Sequence, residues 1–371
     1  MVSNLDRTLA LGDLGHPLQA AAVAEEAAPL AAAYPLAVYQ TQALILGGCL
    51  PQALTVANRT YQRCADVPGI AQTFATGTSG MAALAHGDLH TATERLSGAV
   101  TEFAGRADGV SYYFGINYAE ALARAGDLDA AAQALTQMQR NRHPAHAYRE
   151  SDTLLAAAWV AAARGRTPQA RALAGEAAEF ARTHGQHARE VVCLQAAIQF
   201  GEQHHAARLA ELAELVEGPR AGLVARWAAA LADHDGGEAL LGVSHDLEAM
   251  GDRIAAADAA AHAAIAFRHR QQRGAALTAS ARASRLIGEC GAITPATRTA
   301  ATPLPLTNRE RETTELVAAG LSNKQIAESL TLSVRTVEGH IFKCCTKLGF
   351  ADRTELAQLM SQLAHHGSRR R

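Results

Sequence analysis

Along most of this chain, a glycine is followed five residues later by an alanine, and this repeat limits the folds open to the sequence. The pairs lie between segments of helical apolar periodicity, at Gly87–Ala92, Gly126–Ala131, Gly165–Ala170, Gly201–Ala206 and Gly251–Ala256. Gly12 and Gly47 stand at the same phase upstream, and successive glycines are 35, 40, 39, 39, 36 and 50 residues apart. A glycine of this kind ends one helix in a tight turn, and the small alanine lets the next helix approach closely. The repeat therefore predicts a series of helical hairpins.

A single hairpin cannot bury its own apolar face, so successive copies are expected to stack into a solenoid. Alanine makes up about 85 of the 371 residues and aromatic residues only 5%, which favours closely packed helices over sheets. We predict an all-α fold class with six to seven hairpins over residues 1–290; an irregular helical array is the alternative. The repeat resembles that of the tetratricopeptide family, although its periods exceed the 34 residues of that family and its aromatic positions are poorly filled.

Stacked hairpins usually bind something on their concave side, so the sequence predicts an input region for an unidentified small-molecule or protein effector. The aromatic and basic side chains that could lie there are more often packed between hairpins than in contact with a ligand. These candidates are Tyr112, Tyr113, Tyr118, Arg149, Trp159 and Trp227.

The charge of the chain changes sign near its C-terminus. All three lysines lie in one stretch of 24 residues, between Lys324 and Lys347. Residues 1–303 carry 24 basic and 29 acidic side chains, a net charge of −5, whereas residues 304–371 carry 10 and 7, a net charge of +3. Thr, Ala and Pro dominate the segment between them, which predicts a linker. The expected organisation is a repeat domain over 1–290, a linker over 291–305, a basic domain over 306–365 and a basic tail over 366–371.

Four helix starts are visible in the basic domain. Thr307, Ser322 and Asp352 each precede a Glu or Gln by three residues, which is the pattern of a capping box, and Ser333 opens the third helix. The predicted helices span 308–319, 323–330, 334–348 and 353–364. The second and third, with the short turn between them, form a helix-turn-helix arrangement.

Four short motifs follow one another along residues 306–359: LT-x-R-E, GLSN-x-x-IA, LS-x-x-TV-x-x-H and KL-x-x-x-x-R-x-E. In this order they resemble the DNA-binding domain of LuxR-type transcriptional regulators. The resemblance implies a four-helix domain whose third helix enters the major groove of double-stranded DNA and whose fourth helix supports a homodimer. We further expect the bound regulator to recruit or block RNA polymerase.

The predicted third helix has two faces, because each residue turns the helix by about 100°. Val337, Ile341, Cys344 and Leu348 fall on one face and are expected to be buried. The other face and the preceding turns are expected to meet DNA. The candidate DNA-binding residues are Asn323, Lys324, Ser333, Arg335, Thr336, Glu338, Gly339, Phe342, Lys343 and Lys347.

The side-chain types suggest different contacts. Arg335 and Lys343 suit guanine or phosphate, Phe342 suits a thymine methyl group, and Lys347 at the far end suits a phosphate. Glu338 stands where LuxR-type regulators often carry a basic residue. It either accepts a hydrogen bond from cytosine N4 or is a solvated residue paired with a nearby arginine.

An apolar stripe on the fourth predicted helix is consistent with a dimer seam. Its members are Leu356, Leu359, Met360 and Leu363. The three arginines at the end of the chain either add nonspecific attraction to phosphate or form a disordered tail.

The N-terminal sequence excludes three kinds of input module. A phosphoacceptor receiver needs alternating strands and helices, and an acyl-homoserine-lactone sensor is an α/β domain richer in aromatic residues. A P-loop NTPase needs a lysine in G-x-x-x-x-G-K-[ST], and no lysine precedes Lys324. The chain resembles the helical-repeat and helix-turn-helix half of the large ATP-binding LuxR-type regulators, without their NTPase.

We expect no enzymatic activity, no cofactor and no metal. His204–His205, His234–Asp235 and His245–Asp246 resemble pieces of a phosphohydrolase metal site but lack the remaining ligands. The six cysteines show no C-x-x-C spacing.

No run of about 18 apolar residues predicts a transmembrane helix, so we expect no membrane partner and a cytoplasmic, nucleoid-associated location. The predicted function is sequence-specific DNA binding by a transcriptional regulator with the repeats as input module. The alternative is a protein-binding scaffold whose DNA-binding domain only localises a partner.

Overall fold

The computed structural model describes residues 3–27, 33–104, 109–233, 235–301, 306–350 and 352–358, and throughout them the protein consists of helices and turns without a strand. The all-α fold class is therefore confirmed. The helices are α1 (Asn4–Leu14), α2 (Pro17–Ala27), α3 (Ala33–Gly47), α4 (Leu50–Cys64), α5 (Ile70–His86), α6 (Leu89–Glu102), α7 (Val110–Ala125), α8 (Leu128–Arg140), α9 (Glu150–Ala163), α10 (Thr167–Thr183), α11 (His187–Gln199), α12 (Ala206–Leu215), α13 (Pro219–Ala232), α14 (Gly237–Met250), α15 (Arg253–His269), α16 (Arg273–Cys290), α17 (Pro295–Ala300), α18 (Asn308–Ala318), α19 (Asn323–Leu330) and α20 (Val334–Leu348). A short 3-10 helix (Pro144–Arg149) precedes α9, and residues 353–358 are helical.

In the described part of the chain, α1 to α16 form eight consecutive pairs in which each helix packs on the next. From α1 to α13, the first helix of each pair also packs on the first helix of the next pair. The sequence predicted six to seven hairpins. The repeat glycines do not mark the turns within the last two pairs, because Gly251 lies between these pairs and the turn between α15 and α16 uses Gln271 in the left-handed conformation (φ 59°) instead of a glycine.

The glycine–alanine repeat marks real turns at most of its positions. Gly87 and Gly126 end α5 and α7 in the left-handed conformation, and Gly251 does the same between α14 and α15. Gly12 was wrongly assigned to a turn. It lies inside α1, where an added Cβ would come within 3.2 Å of the Cβ of Ala43, and Gly15 (φ 109°) makes the turn instead. Gly12 therefore serves the close approach of α1 to α3.

The first helix pairs fold back onto later ones, because α1 packs on α11 and α3 packs on α11 and α13. Two nearly inaccessible arginines bridge these contacts. Arg189 in α11 donates from Nε to Asp13 at 2.7 Å and also binds Asp152. Arg220 in α13 donates to the carbonyl oxygen of Ile45 at 3.0 Å. The inner side of the helical body is therefore closed rather than an open groove.

The candidate groove residues are mostly packed between helices. Tyr112, Tyr113, Trp159 and Trp227 are buried, and Tyr118 is half-buried against the main apolar core. Arg149 is also buried, but it lines a cavity inside the closed body.

Much of the expected linker belongs to this body. Thr294 is fully buried and its hydroxyl donates to Asp258, and the alanines of α17, Ala296 and Ala300, are buried on the body. Arg298 donates to a carbonyl oxygen of α9 at 2.9 Å. The small residues that suggested a linker instead fit closely against alanine-rich α15. The remaining linker positions, 302–305, lie outside the described residues.

The C-terminal helices begin and end close to the predicted positions. α18 ends one residue earlier than expected, and α19 and α20 match the predicted ranges. Of the fourth predicted helix, residues 353–358 are described as helical and 359–364 lie outside the described residues. No helix in the described ranges is long and apolar enough to cross a membrane.

Candidate DNA-binding site

Side-chain caps fix the starts of the three C-terminal helices. At α18, the backbone N–H of Thr307 donates to Glu310 at 2.8 Å while the backbone N–H of Glu310 donates to the Thr307 hydroxyl at 3.3 Å. At α20, the Ser333 hydroxyl accepts from the backbone N–H of Thr336 at 3.1 Å. Such caps satisfy N–H groups that have no partner within the helix. They explain why local sequence signals predicted these boundaries.

One face of α20 is buried, as predicted. Val337, Cys344 and Leu348 are fully buried and Ile341 is 8% exposed. They share a core with the apolar residues of α18 and α19, among them Ile326. This packing holds α20 against the rest of the domain and turns its opposite side outward.

The outward side of α20 presents the central candidate contacts. Arg335, Thr336, Glu338, Gly339, Phe342 and Lys343 are all exposed. The Phe342 side chain is 73% exposed, more than any other large apolar residue of the described chain. It lies on the same face as the charged side chains of Arg335, Glu338 and Lys343.

The charges on this face are available to a ligand. Arg335, Glu338 and Lys343 form no ion pair with any described residue. The pairing of Glu338 with a nearby arginine, one of its two interpretations, is therefore not seen in the described part of the chain. Lys324 is likewise exposed, in the first turn of α19.

Residues 304–360 match the family described as bacterial regulatory proteins, luxR family. The C-terminal part of the chain is a LuxR-family helix-turn-helix domain. An HTH-type transcriptional regulator of Mycobacterium bovis is 46% identical over 63 residues, which make up 17% of this chain and 7% of that protein. The oxygen regulatory protein NreC of Staphylococcus aureus is 47% identical over 53 residues, 14% of this chain and 24% of NreC. The chain thus matches a quarter or less of the length of these relatives.

Within the LuxR-family domain, three candidate contacts also hold the domain together. The Ser333 and Thr336 hydroxyls lie 2.7 Å apart at the start of α20. The side-chain oxygen of Asn323 accepts a hydrogen bond from Arg353, which also binds the carbonyl oxygen of Leu321. Sequence reasoning did not give Arg353 this role, although the arginine of the KL-x-x-x-x-R-x-E motif marks the position.

Lys347, predicted to anchor a phosphate, also forms an ion pair within the domain. Its Nζ lies 2.7 Å from both carboxylate oxygens of Glu310, which is itself buried. These hydrogen bonds lower the pKa of Glu310 to about 2. Lys347 therefore joins α20 to the capped start of α18.

The predicted dimer seam is largely outside the described residues. Leu356 is fully buried in the core of the LuxR-family domain, so its side chain is not on a free surface. Leu359, Met360 and Leu363 lie beyond the described residues and stay a prediction.

The helical body contributes to the core of the LuxR-family domain. Leu277 and Ala281 of α16 pack among its buried residues, and Ala281 is 2% exposed. A Cβ added to Gly274 would lie 2.5 Å from the carbonyl oxygen of Gly349, which ends α20. The two parts of the protein thus meet backbone to backbone, on the side of α20 opposite Arg335 and Phe342.

Among the described residues, no group of three His, Cys, Asp or Glu side chains is arranged to hold a metal. His204 is 89% exposed on its side chain and lies 3.9 Å from Glu202. His234 lies outside the described residues. All six cysteines are free, and five of them are buried.

Proposed function

We propose that this protein is a sequence-specific DNA-binding transcriptional regulator that places α20 in the major groove of double-stranded DNA. The observation that carries the proposal is the outward face of α20 in a LuxR-family domain, where Arg335, Phe342 and Lys343 are exposed together. The relatives, one named as an HTH-type transcriptional regulator and the other as an oxygen regulatory protein, support the same function.

The face offers base contacts of different chemistry. Arg335 lies in the first turn of α20 and suits guanine O6 and N7, or a phosphate near the helix N-terminus. Phe342, about two turns further along, suits the methyl group of thymine. Glu338 stands between them and suits the amino group of cytosine. Gly339 leaves room for close approach, since a Cβ at this position would meet no heavy atom within 4 Å.

The proposed active species is a homodimer, with residues 359–363 in the contact between its copies. Two LuxR-family domains related by a two-fold axis would read two half-sites separated by about 34–36 Å, one helical turn of DNA. The bound dimer would recruit or block RNA polymerase in the cytoplasm, at the nucleoid.

We further propose that α1–α17 form the input module of the regulator. The support is the direct packing of Leu277 and Ala281 into the LuxR-family domain. Because α16 belongs to both parts, a change in the helical body that moves α16 also moves the recognition helix.

Selection from a random DNA pool, with affinity then measured at several salt concentrations, tests the regulator proposal. We expect an enriched, two-fold symmetric site, and at least a 100-fold loss of affinity in Arg335→Ala/Lys343→Ala with a shallower dependence on salt. A matched control is Arg63→Ala/Arg140→Ala, which removes two exposed charges from the body. Equal losses in both double variants, or no enriched sequence, would contradict specific recognition by α20.

A further inference from the structure

A cavity of about 90 Å³ lies inside the closed helical body. Its walls come from the first helices of successive pairs, α3, α5, α7, α9, α11 and α13, together with the residue that caps α15. By its volume it has room for several waters or for one molecule of about four or five non-hydrogen atoms.

The charges that line this cavity are balanced. Six charged side chains form three ion pairs: Arg124 with Glu120 (2.5 Å), Arg149 with Asp152 (2.7 Å) and Arg220 with Asp252 (2.9 Å). A ligand with a net charge would bring an unpaired charge among side chains that are themselves largely buried, and such a charge is disfavoured there. The lining therefore selects against anions and cations alike.

The same lining leaves several hydrogen-bonding groups unused. Nε of Arg124 is buried without a partner. Asn117 donates its amide to the carbonyl oxygen of Tyr113 at 3.2 Å, which leaves its own carbonyl oxygen as an acceptor. Gln42 accepts from the Tyr113 hydroxyl at 3.4 Å, which leaves its NH2 group as a donor. The cavity thus offers both donors and acceptors.

We propose that this cavity binds a small uncharged molecule that carries both a hydrogen-bond donor and an acceptor, such as an amide. The ligand contacts Gln42 of α3 and Arg124 of α7, and through Val192 it also contacts α11. It therefore connects α3 and α7 to α11, the later helix on which α1 and α3 pack. The inference rests on the proposed function, since it makes this molecule the input of the regulator.

Three probes of similar size and different charge test the proposal: propionamide, propionate and propylammonium. Each is titrated into the full chain by isothermal titration calorimetry and by ligand-observed NMR. We expect propionamide to bind at least tenfold more tightly than either ion. Asn117→Leu, which keeps the branched shape and the number of side-chain heavy atoms and removes an acceptor, is expected to weaken propionamide binding at least fivefold.

Gln133→Leu is the matched control, because it introduces the same side chain at an exposed position of α8 outside the cavity. This variant should bind propionamide as tightly as the unmodified chain. Absence of binding by all three probes, or tighter binding of an ion, would overturn the proposal. DNA binding of the same preparations is measured in parallel. If the protein binds propionamide but no specific DNA sequence, the regulator proposal is refuted and the cavity proposal stands. If it binds a specific DNA sequence but not propionamide, the cavity proposal is refuted and the regulator proposal stands.

Discussion

Replacement of Arg189 by methionine should open the contact between α1, at the start of the helical body, and the later helix α11. Its guanidinium is 1% exposed and binds Asp13 of α1 and Asp152 of α9. Removing one partner of a buried ion pair typically costs about 3–5 kcal/mol, because the other charge stays buried and unpaired. Asp152 still has Arg149 at 2.7 Å, so Asp13 is the carboxylate left without a partner. We therefore expect a loss at the lower end of this range, about 3 kcal/mol in the free energy of unfolding.

The loss should depend on pH with a definite sign. Burial already raises the pKa of Asp13 against the opposing effect of Arg189, and removal of Arg189 raises it further. A carboxyl group with a raised pKa in the folded state contributes stability at low pH and loses that contribution as the pH rises. The destabilisation of Arg189→Met should therefore be larger at pH 8 than at pH 5.5.

Urea unfolding monitored by circular dichroism gives the free energies, and hydrogen exchange locates the change. Faster exchange is expected in α1 and α2 before the rest of the body. Adding Asp13→Asn to Arg189→Met should recover most of the loss, because it removes the stranded charge. A loss below 1 kcal/mol, or a double variant no more stable than the single one, would refute the reasoning.

Three further predictions concern single sites. Burial raises the pKa of Asp258 to about 7, so the free energy of unfolding should fall by about 3 kcal/mol between pH 4 and 7 because of this site. Asp258→Asn should remove that fall, and in thermal scans at pH 8 the variant should melt at a higher temperature than the unmodified chain. A variant whose free energy of unfolding depends on pH like that of the unmodified chain would contradict the prediction. Lys347→Met leaves Glu310 without its cation and should cost about 2 kcal/mol in urea unfolding of the C-terminal domain, and Glu310→Gln in the same chain should restore part of it. Gly274→Val places a Cβ against the Gly349 carbonyl oxygen and should speed hydrogen exchange over 306–358, whereas exchange at the unmodified rate would show that the close contact is dispensable.

The elements that were predicted correctly are those whose sequence signals involve residues only a few positions apart in the chain. Ser333 caps α20 through a residue three positions away, and the buried face of α20 follows from helical periodicity alone. The exposed side chains Arg335 and Phe342 follow as the opposite face of the same helix. Local geometry of this kind needs no knowledge of the rest of the chain.

The features that were not predicted depend on residues far apart in sequence. Arg189 and Asp13 are 176 residues apart, and Lys347 and Glu310 are 37 apart, so composition and periodicity carry no record of either pair. The segment that holds Thr294 has the composition of a linker, yet it packs because its small residues match the alanines of α15. Whether such a segment packs is decided by the surface that it meets, here α15, rather than by its own composition.

The sharing of α16 by the body and the LuxR-family domain has a mechanical consequence. This helix of 18 residues is about 27 Å long, and Gly274, Leu277 and Ala281, all in its N-terminal half, meet the DNA-binding domain. A tilt of about 5° around the C-terminal end would displace the attached domain by about 1–2 Å. In the proposed dimer, two such displacements together are comparable to the 3.4 Å rise of one base pair. The choice between operators that differ by a single base pair in half-site spacing would then be set by the angle of one helix.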